Sequence, residues 1–150
     1  MSATARAGAL AAVVVAIDQA LKALARASVA RGSSDAILPG VELVNSRNTG
    51  VAFGLFSGGG AVIVLVTAGA LAALVVFFVL NRGRPGVWVP TGLLLGGAVG
   101  NLIDRVFRDD GVTDFIKLPV WPAFNVADIA ITFGVLALIY VLEGPKRAEA

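Results

Sequence analysis

Hydrophobic and polar positions in this chain fall into long blocks, not the short alternation of a strand or the stripe of a surface helix. An apolar run of about 20 residues is long enough for an α-helix to cross the hydrocarbon core of a bilayer. Residues 61–80, "AVIVLVTAGALAALVVFFVL", meet that length without a single charge. Residues 86–103, "GVWVPTGLLLGGAVGNLI", predict another span, in which Pro90 is tolerable because a neighbouring helix can satisfy the freed backbone group. Residues 123–142 predict a third, and residues 8–27 a further one interrupted by Asp18, Lys22 and Arg26. That first segment also has features of a cleavable secretory signal: Arg6, a short apolar run and "ARA" at residues 25–27. Asp18, Gln19 and Lys22 stand between the run and the supposed cleavage site, which argues against cleavage.

Four spans place both termini, and the short turn at Arg82–Gly83–Arg84, on one side of the membrane. The longer connections, residues 28–60 and 104–122, then share the opposite face. The polar ends of spans three and four must therefore meet the first connection. Lysines and arginines occur on both sides, so their number alone does not orient the chain. Those on the terminal side (Arg6, Arg82, Arg84, Lys146, Arg147) stand in short loops and tails, whereas those opposite are interleaved with Asp35, Glu42, Asp104, Asp109, Asp110 and Asp114. Cytoplasmic termini are the expectation.

Composition agrees with the spans. Of the 150 residues 57% are hydrophobic and only 15% charged, outside the usual range of a soluble domain. A formal charge of +2 is too small to suggest nucleic acid as a partner. With no cysteine and no histidine, disulfides, thiolate nucleophiles, Ser-His dyads and HExxH zinc sites are excluded. Chemistry is left to carboxylates, lysine, hydroxyls and amides.

Five polar clusters interrupt the apolar blocks. "DQALK" puts Asp18 and Lys22 at i and i+4 on one helix face, where a self-neutralising pair reads as a structural clamp before a catalytic pair. "VELVNSRNTGVAFGLF" reads as two short strands, residues 41–44 and 51–55, around a turn at Arg47–Gly50 that carries Asn48. "GGAVGNLIDRV" offers glycines for close helix approach and sets Asn101, Asp104 and Arg105 on one face, with Asp104 expected to pair with an arginine. "GVTDFIKLP" holds Asp114 among apolar neighbours in a segment of strand character, an environment that disfavours its charged form. "FNVAD" places Asn125 as the N-cap of the last helix and Asp128 at N3, where the helix dipole favours an anion. Each cluster alone has a structural explanation; topology brings all of them to one membrane face.

In that order and spacing, "DQALK", "RNTGVAFG", "GGAVGNLIDRV", "VTDFIKL" and "FNVADIAI" resemble the lipoprotein signal peptidases, the signal peptidase II family. The resemblance runs from Asp18 into the last span; only short, Ala-rich ends differ. It implies an all-α polytopic membrane protein, with four transmembrane helices, a small extracytoplasmic β-cradle and a short outer helix, forming a single domain over residues 1–150. It implies an aspartyl endopeptidase of the bacterial cytoplasmic (inner) membrane. Its substrate would be a diacylglyceryl-modified prolipoprotein, cut just before the lipidated cysteine. Asp114 and Asp128 match the catalytic pair, and Asn48, Asn101, Arg105 and Asn125 match substrate-site residues. Asp18 and Lys22 match a supporting pair; Asp104 is assigned a structural role. No metal, cofactor or nucleic acid is expected; membrane lipid is the other expected partner, and the expected state is a monomer.

Two carboxylates sharing a proton can serve as acid and base together. The expected roles are Asp128 as base, drawing a proton from water, and Asp114 as acid towards the scissile carbonyl, although such a pair titrates as a unit. Three other readings compete: a proton-coupled carrier, a passive scaffold, and a Ser–Lys hydrolase using Ser46 and Lys22. Clustering of the acids at one surface favours the peptidase. "RDDG", residues 108–111, reads as a solvated turn and not as a flap.

Overall fold

The computed structural model describes residues 1–50, 60–108 and 111–143. Along the chain come α1 (Ala3–Ser28), β1 (Ser34–Leu38), β2 (Val41–Asn48), α2 (Gly60–Asn81), α3 (Trp88–Phe107), β3 (Val112–Leu118), β4 (Trp121–Phe124) and α4 (Val126–Glu143). The four strands form one antiparallel sheet in the order β1-β2-β3-β4. The β2–β3 pairing carries the topology, because it joins the connection after α1 to the one between α3 and α4. Its register sets Ser46 opposite Asp114, Arg47 opposite Thr113 and Asn48 opposite Val112.

Among the described residues, three helices are long and apolar enough to cross a membrane: α1, α2 from Ala61, and α4. The protein is membrane-embedded. On α2 the apolar side chains look outward, Leu65 71% and Leu80 78% exposed, which only lipid tails would tolerate over such a length. Helix α3 does not meet the same standard, although a span over 86–103 is the sequence expectation. It runs to Phe107, so Asn101, Asp104 and Arg105 belong to the helix. Its buried face is made of Pro90, Thr91, Gly92, Gly96, Gly97, Gly100, Asn101 and Asp104, so much of it contacts protein, not lipid.

Adjacent glycines let α3 lie between two partners. A Cβ on Gly96 would stand 2.9 Å from the Ala11 carbonyl oxygen of α1, and one on Gly97 2.5 Å from the Ala127 carbonyl oxygen of α4. Backbone cannot move aside as a side-chain tip can, so Gly97→Ala must push α3 and α4 apart, at about 1–3 kcal/mol. Thermal unfolding in detergent checks this, with Gly83→Ala, where a Cβ meets open space, as the unchanged control.

The pattern of strands differs from expectation in three places. Strand β2 does not stop at Val44 but continues through Arg47 and Asn48, since β3 pairs with them, and the chain bends only at Gly50, whose φ is +73°. Strands β1 and β4 arise by pairing with β2 and β3, and β4 takes Ala123 and Phe124 from the predicted fourth span. The predicted strand 51–55 lies outside the described residues, as do residues 109 and 110 of "RDDG".

The two ends of the bundle are built differently. Ala7, Phe78 and Val87 form an apolar core with Phe77, Trp88 and Val141, and the Arg6 guanidinium lies 5.9 Å from the Trp88 ring centre. At the other end, beneath the sheet, the fully buried polar side chains are Asp18, Lys22, Asp104, Thr113 and Asn125. Buried polar groups must be paired. Their pairing is the site.

Candidate active site

Helix α4 begins with a reciprocal cap. The Asp128 N–H donates to Asn125 Oδ1 at 2.9 Å, and the Asn125 N–H donates back to Asp128 Oδ2 at 3.2 Å. Asn125 is thus the N-cap and Asp128 sits at N3, as the local spacing predicts. The cap uses one carboxylate oxygen of Asp128. The other, Oδ1, accepts from Asn101 Nδ2 at 2.9 Å. Asp128 is half-buried, in the first turn of α4.

Strand β3 brings the second acid. Asp114 is 3% exposed, and its two oxygens accept from Asn125 Nδ2 (Oδ1, 2.7 Å) and Asn48 Nδ2 (Oδ2, 3.1 Å). Asn48 also accepts from the Gly50 N–H at 2.9 Å, so its turn chemistry and its contact with the acid coexist. Asn125 therefore touches both aspartates, one through its side-chain amide and one through its backbone. Asn101 and Asn125 are themselves joined, Nδ2 of Asn125 donating to Oδ1 of Asn101 at 3.1 Å.

Behind these amides lies a buried ionic cluster. Lys22 Nζ stands 2.8 Å from Asp18 Oδ2, 3.2 Å from Asp104 Oδ2 and 2.9 Å from Asn101 Oδ1. Asp18 Oδ1 accepts the Ala127 N–H at 2.9 Å, so the pair on α1 also holds the first turn of α4. Asp104 accepts the Thr113 N–H at 3.0 Å and pairs with Arg108 at 3.5 Å, which ties the end of α3 to β3. An arginine partner was expected for Asp104; Lys22 is an additional one.

Arg105 reaches the same region. Its charge acts on Asp128, Asp114 and Asp104, and among the described residues its buried Nε has no hydrogen-bond partner. All nine candidate site and supporting residues thus lie in one assembly.

Burial pushes the Asp114 carboxyl up from the ordinary 3.8 to about 6. The Asp128 charge pushes the same way, while the amide donors Asn48 and Asn125, and the Lys22 charge, oppose it. A cleft of about 410 Å³ opens beside Asp114, lined also by Ser46, Asn48, Gly50 and Pro122. A larger depression of about 520 Å³ lies at the hairpin turns around Pro39 and Pro119, away from both aspartates.

Sequence reasoning passed over Gln19, Asn45 and Thr113. Gln19 Nε2 donates to the Gly100 carbonyl at 3.0 Å and lies 3.3 Å from both Asp18 and Asp104. Thr113 Oγ1 accepts from Arg26 and Arg47, each at 3.0 Å, and Asn45 Nδ2 donates to the Val29 carbonyl at 2.8 Å. A signal existed for Gln19: Asp18, Gln19, Lys22 and Arg26 are close to one face of an otherwise apolar helix. Thr113 and Asn45 carry no such mark, since strand pairing alone decides that they turn inward.

Apolar helices, a sheet at one end and two amide-linked aspartates between them define a membrane-embedded protein with a carboxylate site. A family model described as signal peptidase (SPase) II matches residues 10–143. The chain is 42% identical to a lipoprotein signal peptidase of Syntrophomonas wolfei over 139 residues, 91% of this chain and 93% of that one. It is 41% identical to one of Moorella thermoacetica, covering 93% and 94%. A solved bacterial membrane enzyme, determined by the in meso method at 1.9 Å resolution, superposes with a TM-score of 0.85 at 33% identity, covering 93% of this chain and 94% of the other. The chain belongs to the signal peptidase II family and is a peptidase.

Proposed function

We propose that the protein removes signal peptides from diacylglyceryl-modified prolipoproteins, as an aspartic endopeptidase that cleaves before the lipidated cysteine. The observation that carries this reading is the meeting of Asp114 and Asp128. They arrive from different elements, are linked through Asn125 and Asn101, and sit where apolar helices give way to a sheet. Four helices span the bacterial inner membrane, α3 among them, shielded by its neighbours. The termini are cytoplasmic and the sheet lies on the outer face. The chain works as one domain and as a monomer.

In the mechanism, Asp128 acts as the base and draws a proton from water. That water attacks the carbonyl carbon of the residue before the cysteine, and Asp114 donates a proton towards the carbonyl oxygen. Two features support the division of roles. Asp114 is the more buried acid, with its proton retained to about pH 6, and Asp128 faces two donors at the positive end of α4. Arg105 and Asn48 hold peptide carbonyls, while Asn101 and Asn125 orient the carboxylates. The acyl chains stay in lipid, so the scissile bond meets the acids at the boundary. Against a Ser46–Lys22 mechanism, the Lys22 ammonium is buried with its three bonds already made.

The test is gel-based cleavage of a diacylated prolipoprotein by the purified protein in detergent, including Ser46→Ala. Wild type and Ser46→Ala should give the shortened product. A Ser46→Ala variant without turnover would move the chemistry away from the aspartates. The pH profile offers a second check. An acid that must hold its proton loses activity as pH rises through about 6, while the base loses activity at the acidic side, so kcat/KM should be bell-shaped. A single basic limb would point to lysine instead.

A further inference from the structure

The hydrogen-bond chain behind the aspartates ends on a charge that the chemistry above does not use. We propose that Lys22 is a positioning residue, locking the Asn101 side-chain amide in the one orientation that donates to Asp128. The inference rests on the aspartate-pair reading and adds to it the device that keeps the base ready.

An asparagine amide turned by 180° keeps its shape but exchanges donor and acceptor. As the structure has it, Asn101 Oδ1 accepts from Lys22 Nζ at 2.9 Å and from Asn125 Nδ2 at 3.1 Å, while Nδ2 donates to Asp128 at 2.9 Å. Turned over, its NH2 would face an ammonium and a second amide NH2, and its oxygen would face a carboxylate. All three contacts would be lost or repulsive. Lysine has donors and no acceptor, so it enforces this choice at every pH at which it is charged. Asn125 enforces it from the other side, over the longer bond.

Lys22 is fixed in turn. Its three N–H bonds go to Asp18, Asp104 and Asn101, and the whole side chain is buried. It has no proton left for substrate, so it acts through Asn101. The charged groups around it are Asp18 on its own helix, Asp104 and Arg105 on α3, with Arg108 paired to Asp104, Asp114 on β3 and Asp128 on α4. Removing Lys22 alone would change charge and orientation together. The useful variant is therefore charge-balanced: Lys22→Met with Asp18→Asn, in which the asparagine oxygen can still accept the Ala127 N–H.

The experiment measures kcat and KM for a diacylated prolipoprotein between pH 4 and pH 8, with thermal unfolding followed in the same detergent. Compared with wild type, whose charge balance it keeps, the double variant should lose about tenfold to a hundredfold in kcat with little change in KM. Loss of a donor to the ionised carboxylate should also move the acid limb of the profile to higher pH. Lys22→Gln with Asp18→Asn, whose amide can still donate, should fall between, and it carries the same comparison if the methionine variant does not fold. A folded variant with an unmoved acid limb overturns the proposal, whether or not kcat falls, because a merely structural lysine would leave the limb in place. Failure of the underlying reading shows separately: Asp114→Asn would then turn over substrate whatever stands at position 22.

Discussion

Asp114→Asn should remain folded in detergent and cut a diacylated prolipoprotein about 10³-fold more slowly than the wild-type chain. The amide has the carboxyl group's shape, so the cleft beside Ser46 and Pro122 keeps its walls. What it lacks is the proton to give. Exposed Asn48 can turn to suit the new amide, at the expense of its bond from the Gly50 N–H. Asp128→Asn should be equally inactive, because an amide cannot take a proton from water. Asp104→Asn, which removes a carboxylate bonded to the Thr113 N–H, should alter stability more than chemistry. An inactive Asp104→Asn beside an active Asp114→Asn would name a different acid.

The same variant has a stability signature with a definite sign. Asp114 binds its proton more tightly in the folded chain, about 6 against an ordinary 3.8. Its contribution is fully present below about pH 4 and is lost as pH rises towards 6, because the folded state must then bury a charge. Asparagine has no such loss. The unfolding temperature of Asp114→Asn should therefore gain on that of wild type as pH goes from 4 to 6.5. An unchanged gap would mean that the acid is not held in a desolvated place.

Lys22→Met alone should destabilise the protein by about 3–5 kcal/mol, the usual result of removing one partner from a buried ion pair. Asp18 and Asp104 would both stay buried, facing each other without the ammonium between them. Adding Asp18→Asn should recover part of the loss, since one of the stranded charges goes. Denaturant or thermal unfolding in detergent measures both steps. If the single variant were as stable as wild type, water must reach these carboxylates, and the description of a dry ionic cluster would be wrong.

The cap at Asn125 and Asp128 was legible because it is local: three residues of spacing decide which N–H the asparagine reaches. The apolar lengths of α2 and α4 were legible for a similar reason, since crossing a bilayer sets a residue number. Strand pairing was not. Nothing in "SDAIL" announces a strand, and β1 exists because β2 offers it a partner. Arg47 and Asn48 looked like turn residues until Thr113 and Val112 came opposite them. The glycines of α3 were legible as points of close helix approach, but not that the approaching helices are α1 and α4.

By itself the chain's pattern determined the membrane class, the exclusion of thiol and imidazole chemistry, and the expectation that Asn48, Asn101, Arg105, Asp114, Asn125 and Asp128 gather at one face. Those follow from residue types and from the requirement that apolar runs cross a bilayer in alternating directions. Only the tertiary structure decided which oxygen meets which amide. Asn48 reaches Asp114 through the β2–β3 register, and Lys22 reaches Asn101 through the glycine-lined approach of α1 to α3. Hydrogen bonds form within about 3 Å, and over gaps of tens of residues no spacing rule reaches that accuracy.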